Sequence, residues 1–177
     1  MRISKVTTKT GDNGKTSLGD GTRVLKNHPN INFLGDIDEL NSYLGAAISV
    51  CDFEIKKELQ SIQQDLFNIG GEASMPEQDI SLLKDDRITY LENFIDKTNN
   101  DLPPLEEFIL PGGTELCSRL HIVRAACRRA ERSCIPLITK NANNNWLKYL
   151  NRLSDFIFVL IRFLNKNEGL DEMLWER

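Results

Sequence analysis

Arginine side chains dominate one predicted helix of this chain, and their types and spacing are those of an anion site. Residues 119–132 contain five arginines and no lysine. The planar guanidinium matches the geometry of a carboxylate or a phosphate, whereas lysine would serve equally well for solubility. Arg124, Arg128 and Glu131 fall in one sector of the helix, with Arg132 at its edge. A solvated face of salt bridges at spacings of three and four is the alternative interpretation.

A glycine-rich segment near the N-terminus could supply a second phosphate-binding group. Residues 7–26 read TTKTGDNGKTSLGDGTRVLK and contain Gly14-Lys15-Thr16, the ending of a Walker A loop. That motif fails here, because Lys9 stands where its first glycine is needed and no helix is predicted to follow. Glycines, hydroxyl groups and lysines can nevertheless gather backbone N–H groups and positive charge around a phosphate. A mobile polar arm is the other interpretation of this segment.

The elements that must position these residues are predicted to be helices. Asp36 and Glu39 have the spacing of a capping box at the start of the first helix. Prolines crowd residues 102–113 and predict an extended crossover there. Apolar residues recur at spacings of three and four over residues 36–51, 53–73, 80–98, 114–135 and 143–166. The expected fold class is therefore all-α, an antiparallel five-helix bundle with a ferritin-like up-down arrangement.

Length and composition indicate one soluble domain over residues 1–177. We expect a nucleotide-binding arm at 1–30, a helical bundle at 36–166 and a polar tail at 167–177. The net charge of −4 argues against nucleic acid and against an anionic membrane surface as partners. No apolar run approaches the length of a membrane span, and the four cysteines lack paired spacings. A reducing cytoplasmic location is the resulting expectation.

Polar side chains flank the apolar seams of two other predicted helices. Asn151, Asp155 and Arg162 share one flank of the fifth helix, and Asp38 lies with Asn41 on one face of the first. Polar groups this close to a core seam are often buried against a ligand or another subunit. Asp38 could pair with an arginine of the fourth helix. A favourable interaction with the helix dipole is its simpler interpretation.

The order of these motifs resembles that of the PduO-type ATP:cob(I)alamin adenosyltransferases. The resemblance covers nearly the whole chain and rests on TKTGDNGKTSLGDGTRVLK, DIDELNSYLG, SIQQDLFNIGGE, FILPGGTELCSRLHIVRAACRRAER and YLNRLSDFIFVLIRFLN. It implies a five-helix bundle that acts as a homotrimer with active sites between adjacent subunits. It also implies transfer of the 5′-deoxyadenosyl group of ATP to the cobalt of cob(I)alamin, which releases triphosphate. Mg²⁺, carried mainly by the ATP phosphates, is the implied metal.

The resemblance also assigns roles to residues of this sequence. Asp38 would form an intersubunit ion pair with Arg124. Phe108 would lie beneath the corrin and displace its lower axial ligand, which aids reduction of Co(II) through a four-coordinate species. Arg128 would act in catalysis as well as in nucleotide binding. The implied nucleotide ligands are Thr8, Lys9, Thr10, Gly11, Asp12, Gly14, Lys26, Arg128, Glu131, Arg132 and Asn151.

Two places depart from the pattern of that family. Asn32-Phe33-Leu34 stands where a segment ending in Ala-Tyr-Gly is expected, and Arg119 stands where a small residue is common. Both concern corrinoid preference more than the reaction. Besides ATP and cob(I)alamin, the implied partners are a cob(II)alamin reductase and a B12-dependent enzyme. The alternatives are a nucleotide hydrolase or phosphotransferase on a helical bundle, and a non-catalytic module that binds a nucleotide or a corrinoid.

Overall fold

A computed structural model describes residues 7, 9–138 and 145–177 of the chain. Thr8, one of the predicted nucleotide ligands, lies outside the described residues. The described residues form five helices and one small antiparallel hairpin, which agrees with the all-α fold class. The helices are α1 (Pro29–Ile48), α2 (Phe53–Ala73), α3 (Asp86–Asn99), α4 (Glu115–Ile138) and α5 (Asn145–Asn167), and the hairpin consists of β1 (Lys15–Ser17) and β2 (Arg23–Leu25).

Helix α1 begins earlier than predicted, and the capping box assigned to Asp36 and Glu39 was wrong. Pro29 occupies the first turn, where its missing N–H costs nothing and its fixed φ suits the helix. The N-cap is His28, whose Nδ1 accepts a hydrogen bond of 3.2 Å from the backbone N–H of Asn30. Asp36 and Glu39 therefore lie inside the helix, where their carboxylates are available to α4.

Helix α2 has the predicted bounds, whereas α3 begins six residues later than predicted. Asp52 caps α2 by accepting a hydrogen bond from the backbone N–H of Ile55 at 3.3 Å. Glu72 keeps the segment before α3 out of the helix, because its carboxylate accepts hydrogen bonds from the backbone N–H groups of Leu82 and Leu83. Those donors are thereby used outside a helix, so the apolar periodicity around residue 83 is not expressed as helix.

Cross-helix contacts define the topology. Asn41 Nδ2 donates to the carbonyl of Gln63, which lies in the antiparallel helix α2. Helix α4 packs against both α1 and α5. The Cys127 thiol donates to the carbonyl of Leu150, where α5 runs antiparallel to α4. Helix α3 packs against α5 and runs parallel to it. The crossover of residues 100–114 stays at the end of the bundle where α3 finishes, beside the C-terminal end of α5, and α4 begins from that same end.

The predicted apolar seam of α4 is the centre of the core. Val123, Cys127 and Ala130 are fully buried, and Leu116 at the N-terminal end of the seam is half-buried. Burial raises the pKa of the Cys134 thiol to about 12, so this cysteine behaves as a small apolar side chain. The seam fixes the rotation of α4, and with it the direction of every arginine on that helix.

A buried carboxylate links three parts of the bundle. Glu72 is 3% exposed and lies near the C-terminal end of α2. Besides the two backbone donors before α3, it accepts a hydrogen bond from the indole Nε1 of Trp146 at the start of α5. A buried acid is tolerated when charge-assisted hydrogen bonds satisfy it, and here all three donors come from other elements.

We predict that Glu72→Ala destabilises the fold, because it leaves those three donors without their acceptor. The expected loss is roughly 2–4 kcal/mol in the free energy of unfolding, measured by urea denaturation. The exposed Glu77 provides a matched control, and Glu77→Ala should change that free energy by less than about 0.5 kcal/mol. Equal effects of the two substitutions would contradict the structural role of Glu72.

Candidate functional site

The arginines of α4 divide into two groups. Arg119 donates to the carbonyl of Ala46 and to Ser49 Oγ at 3.0 Å, and thereby ties the start of α4 to the C-terminal end of α1. Arg129 forms ion pairs with Asp36, at 3.1 Å, and with Glu39. Arg119 also forms an ion pair of 2.5 Å with Glu115, one turn earlier in α4. For Arg119 and Arg129 the salt-bridge interpretation is therefore the correct one.

Arg128 and Arg132 form the second group. Both are exposed, and within residues 7, 9–138 and 145–177 neither forms an ion pair. They lie four residues apart on one face of α4, so their guanidinium groups project from successive turns. Two adjacent cations without acidic partners are suited to binding an anion with several oxygen atoms, such as a polyphosphate.

Glu131 and Asn151 complete this face. Asn151 Nδ2 donates to Glu131 Oε1 at 3.0 Å, and Asn151 Oδ1 accepts a hydrogen bond of 2.6 Å from Arg152. The structure therefore brings together two ligands that were predicted from different helices. We call Arg128, Glu131, Arg132 and Asn151 the anion face.

Asp155 belongs to the same neighbourhood, although it was not predicted as a ligand. Burial raises the pKa of its carboxyl above the ordinary value; the charge of Arg152 opposes this shift, and that of Glu131 adds to it. Asp155 and Glu131 are thus two acids that interact beside Arg128. Their negative charge limits how many phosphate oxygens this face can hold by itself.

Arg124 lies next to the anion face and is incompletely satisfied. Its Nε is buried and has no hydrogen-bond partner in the described part of the chain. Burial lowers the pKa of its guanidinium, and the charge of Arg128 lowers it further. Its guanidinium carbon lies 6.0 Å from the centre of the Phe158 ring. Asp38 is exposed on α1 and does not pair with Arg124 within the described residues.

The glycine-rich arm folds back on its own hairpin. Lys9 has a positive φ of 58° and Gly14 one of 79°, and the Gly14 carbonyl accepts a hydrogen bond of 2.9 Å from the backbone N–H of Lys26. The Lys26 side chain lies over Gly11, where a Cβ would approach Nζ to 3.3 Å. The arm therefore places Gly11, Gly14 and Lys26, three of the predicted nucleotide ligands, close together. Lys9, Thr10 and Asp12 are exposed around it.

Arg23 holds this loop to the hairpin and was missed by the sequence analysis. Its Nη2 donates to the carbonyl of Thr10 at 2.7 Å, across thirteen residues of chain. Nothing in the local pattern predicts such a contact. The hairpin in turn is fastened to the bundle by Gly19, whose backbone N–H donates to the carbonyl of Ser74 at 2.7 Å. A Cβ at Gly19 would lie 2.5 Å from Ser74 Oγ, so this close approach requires glycine.

Phe108 lies in the crossover and is 71% exposed. Its ring contacts that of Trp175 in the C-terminal tail, at 6.2 Å between ring centres. In the described residues the arm, the anion face and Phe108 are separate clusters, and no hydrogen bond joins one cluster to another. One copy of the chain thus presents the predicted parts of a site without assembling them.

The donor set constrains what metal the site could hold. The described residues contain no group of three or more His, Cys, Asp or Glu side chains placed to bind a metal ion. Mg²⁺ commonly keeps one or two carboxylates and takes its other ligands from phosphates and water. The exposed Asp12 fits that mode, in which the nucleotide carries the ion. None of the described helices is long and apolar enough to cross a bilayer.

Comparisons with known proteins agree with this arrangement. A family model described as cobalamin adenosyltransferase matches residues 6–164. A cobalamin adenosyltransferase of Cupriavidus metallidurans is 46% identical over 99% of this chain and 96% of its own length. A corrinoid adenosyltransferase of Bacillus subtilis is 39% identical over 98% of this chain and 93% of its own. A variant PduO-type ATP:corrinoid adenosyltransferase from Lactobacillus reuteri, solved with cobalamin and ATP, is 36% identical with a TM-score of 0.90, over 98% of this chain and 100% of that one.

The division of the arginines yields a stability prediction. Arg129→Ala should lower the free energy of unfolding by roughly 0.5–1 kcal/mol, because it removes two ion pairs to α1 that are partly screened by solvent. Arg128→Ala should leave that free energy unchanged within about 0.5 kcal/mol. Chemical denaturation of both variants in parallel measures the difference. A larger loss for Arg128→Ala than for Arg129→Ala would show that the assignment of the two groups is reversed.

Proposed function

Because the chain belongs to the cobalamin adenosyltransferase family, we propose that it transfers the 5′-deoxyadenosyl group of ATP to the cobalt of cob(I)alamin. The observation that carries the proposal beyond family membership is the anion face, where Arg128 and Arg132 are exposed beside Glu131 and Asn151 and form no ion pair within the described residues. A triphosphate leaving group is the kind of anion that such a face would bind.

The proposed reaction requires no general acid or general base from the protein. The Co(I) centre donates an electron pair to the 5′ carbon of ATP and a cobalt–carbon bond forms. The bond between the 5′ carbon and oxygen breaks at the same time, and triphosphate departs with the electron pair of that broken bond. The corrinoid supplies the reactivity. The protein must align the two substrates and stabilise the charge that develops on the leaving oxygen. Arginines and backbone N–H groups meet that requirement without a proton transfer.

The arm is proposed to hold the phosphate chain together with Mg²⁺. Its exposed cations and hydroxyls surround a loop whose glycines carry no Cβ, which would allow a phosphate to approach the backbone closely. Asp12 would face the metal ion, because a carboxylate placed directly against phosphate would be repelled. The proposed ligands of the arm are Thr8, Lys9, Thr10, Gly11, Asp12, Gly14 and Lys26.

A homotrimer is proposed to bring the arm of one subunit to the anion face of the next. The support is the Nε of Arg124, which is buried without a hydrogen-bond partner in the described residues, together with the exposed carboxylate of Asp38, which forms no ion pair there. A buried polar atom without a partner is costly, and an ion pair of the half-buried Arg124 with Asp38 of a neighbouring subunit would reduce that cost. Asp38 also lines a groove of about 310 Å³ whose wall includes the exposed Phe67, which suits contact with another subunit.

Phe108 is proposed to lie beneath the corrin. The Phe108 ring exposes apolar surface to water, which is unfavourable. Contact with the flat face of a macrocycle would bury that surface and so stabilise the complex. In this position the ring would exclude water and the lower axial ligand of the corrinoid. The four-coordinate Co(II) species that results is easier to reduce. We further propose that the protein works in the cytoplasm, takes its electrons from a cob(II)alamin reductase and supplies a B12-dependent enzyme.

An anaerobic assay with ATP and chemically reduced cobalamin tests the proposed reaction. Loss of the Co(I) absorbance should accompany formation of adenosylcobalamin, and the phosphate product should be intact triphosphate. A nucleotide hydrolase or phosphotransferase would release other phosphate products, and a carrier or sensor would bind its ligand without turnover. Failure to form adenosylcobalamin under these conditions would contradict the proposal.

We predict that Arg128→Ala lowers kcat by about 10²–10³ while the protein stays folded, because one cation aimed at the leaving group is lost. Arg128→Lys should recover only part of the rate, since a point charge cannot make the two-point contact of a guanidinium. Steady-state kinetics, with circular dichroism to verify folding, measures both variants. An unchanged kcat in Arg128→Ala would show that Arg128 does not act in the reaction.

A further inference from the structure

The crossover and the C-terminal tail form a short two-stranded ladder around Phe108. Ile109 and Leu174 pair as an isolated antiparallel bridge. The backbone N–H of Trp175 donates to the carbonyl of Phe108 at 2.8 Å, and that of Leu110 donates to the carbonyl of Met173, also at 2.8 Å. The two residues of the crossover that flank the bridge are therefore both fixed by the tail.

Side chains of the tail reinforce this pairing. The Trp175 ring lies at 53° to the ring of Phe108, in a tilted contact. Arg177 forms an ion pair of 2.9 Å with Glu107, the residue before Phe108, and its guanidinium lies 5.5 Å from the centre of the Trp175 ring. The tail thus contacts the backbone of Phe108, its ring and the residue before it.

Arg162, a residue of α5, binds the beginning of the tail through Glu172. Arg162 is 3% exposed, and the carboxylate of Glu172 accepts hydrogen bonds from its Nε at 2.8 Å and from its Nη2 at 3.1 Å. The same Nη2 also donates to the carbonyl of Pro103 at 2.8 Å. One buried cation therefore holds the tail and the beginning of the crossover together. Such a two-point contact is strong and directional.

The core itself gives little support to the crossover at this point. A cavity of about 640 Å³ lies between the crossover, the end of α5 and the tail, lined by Leu102, Leu105, Leu170 and Leu174 among others. Because this space is open, the position of residues 103–110 depends on contacts with the tail more than on packing against the bundle.

We propose that the C-terminal tail, pinned by Arg162 and Glu172, is a positioning element that sets the Phe108 ring for its contact with the corrinoid. The inference rests on the proposed function. Phe108 would touch the substrate, whereas Trp175 and Glu172 act through it. The aromatic contact sets the orientation of the ring, and the ladder sets its height above the bundle.

Spectroscopy of bound cob(II)alamin tests this role, because a merely structural contribution would not change the coordination of cobalt. With ATP present, electron paramagnetic resonance gives the fraction of Co(II) that has lost its lower ligand. Trp175→Ala should lower the ratio of four-coordinate to five-coordinate Co(II) by about fivefold, the size expected from one lost aromatic contact. Glu172→Gln should also lower this ratio, because it removes the charge that pairs with Arg162. Turnover that starts from Co(II) should fall in parallel, and turnover from Co(I) should fall less.

Matched variants make the result specific. Asp171→Asn removes a charge adjacent to Glu172 from an exposed side chain, and should leave the ratio unchanged. Trp175→Phe keeps an aromatic ring at this position, so the ratio of four-coordinate to five-coordinate Co(II) should stay close to that of the wild type. Combining Trp175→Ala with Phe108→Ala should be no worse than Phe108→Ala alone, since both act through one ring. An unchanged ratio in Trp175→Ala and Glu172→Gln, or an additive loss in the double variant, would overturn the proposal.

Amide hydrogen exchange without corrinoid separates this inference from the proposed function. Exchange at Leu110 should become faster in Trp175→Ala than in the wild type, and should stay unchanged in Asp171→Asn. Equal exchange in all three proteins would overturn the positioning role even if the wild type is an active enzyme. The wild type could instead make no adenosylcobalamin while Trp175→Ala still speeds exchange at Leu110. That result would contradict the proposed function and leave the tail with a purely structural role.

Discussion

Burial of the α4 seam between α1 and α5 determines what every other polar group on that helix can do. With Val123, Cys127 and Ala130 at no exposure, α4 cannot rotate without placing charged groups in the core. That rotation sends Arg129 to the carboxylates of α1 and leaves Arg128 facing outward without an ion pair among the described residues. Adjacent arginines therefore differ in role for a packing reason. Structural ion pairing uses one flank of the seam, and the anion face uses the other.

Periodicity and local chemistry predicted the fold to the extent that short-range signals control it. Helix α2 has its predicted bounds because the apolar pattern and the Asp52 cap agree. The start of α1 was predicted too late because Asp36 and Glu39 have the spacing of a capping box, whereas His28 and Pro29 form the actual N-terminus. The start of α3 was predicted too early because Glu72, 10 residues away, accepts a hydrogen bond from the backbone N–H of Leu82. The hairpin of the arm was not predicted at all, since each strand has only three residues.

The same distinction holds for the candidate site. The sequence places Glu131 and Asn151 each on a polar flank of its own helix but does not predict their pairing, and the structure brings them to 3.0 Å. The contacts of Arg23 with Thr10 and of Arg162 with Glu172 join segments whose relative placement has no local pattern. Within one chain the arm, the anion face and Phe108 lie apart, and among the described residues the buried Nε of Arg124 has no hydrogen-bond partner. Both features favour a site that two subunits complete.

Mixing of defective subunits tests that central claim most directly. One variant carries Lys9→Ala and Lys26→Ala in the arm, and the other carries Arg128→Ala in the anion face; each should be inactive by itself. If a site takes its arm from one subunit and its anion face from the next, dissociating and reassembling the two variants in equal amounts should restore about a quarter of the wild-type activity, because one site in four then combines two intact halves. Mixed assemblies that form and remain inactive would contradict the account, since they would place both halves of the site in the same subunit.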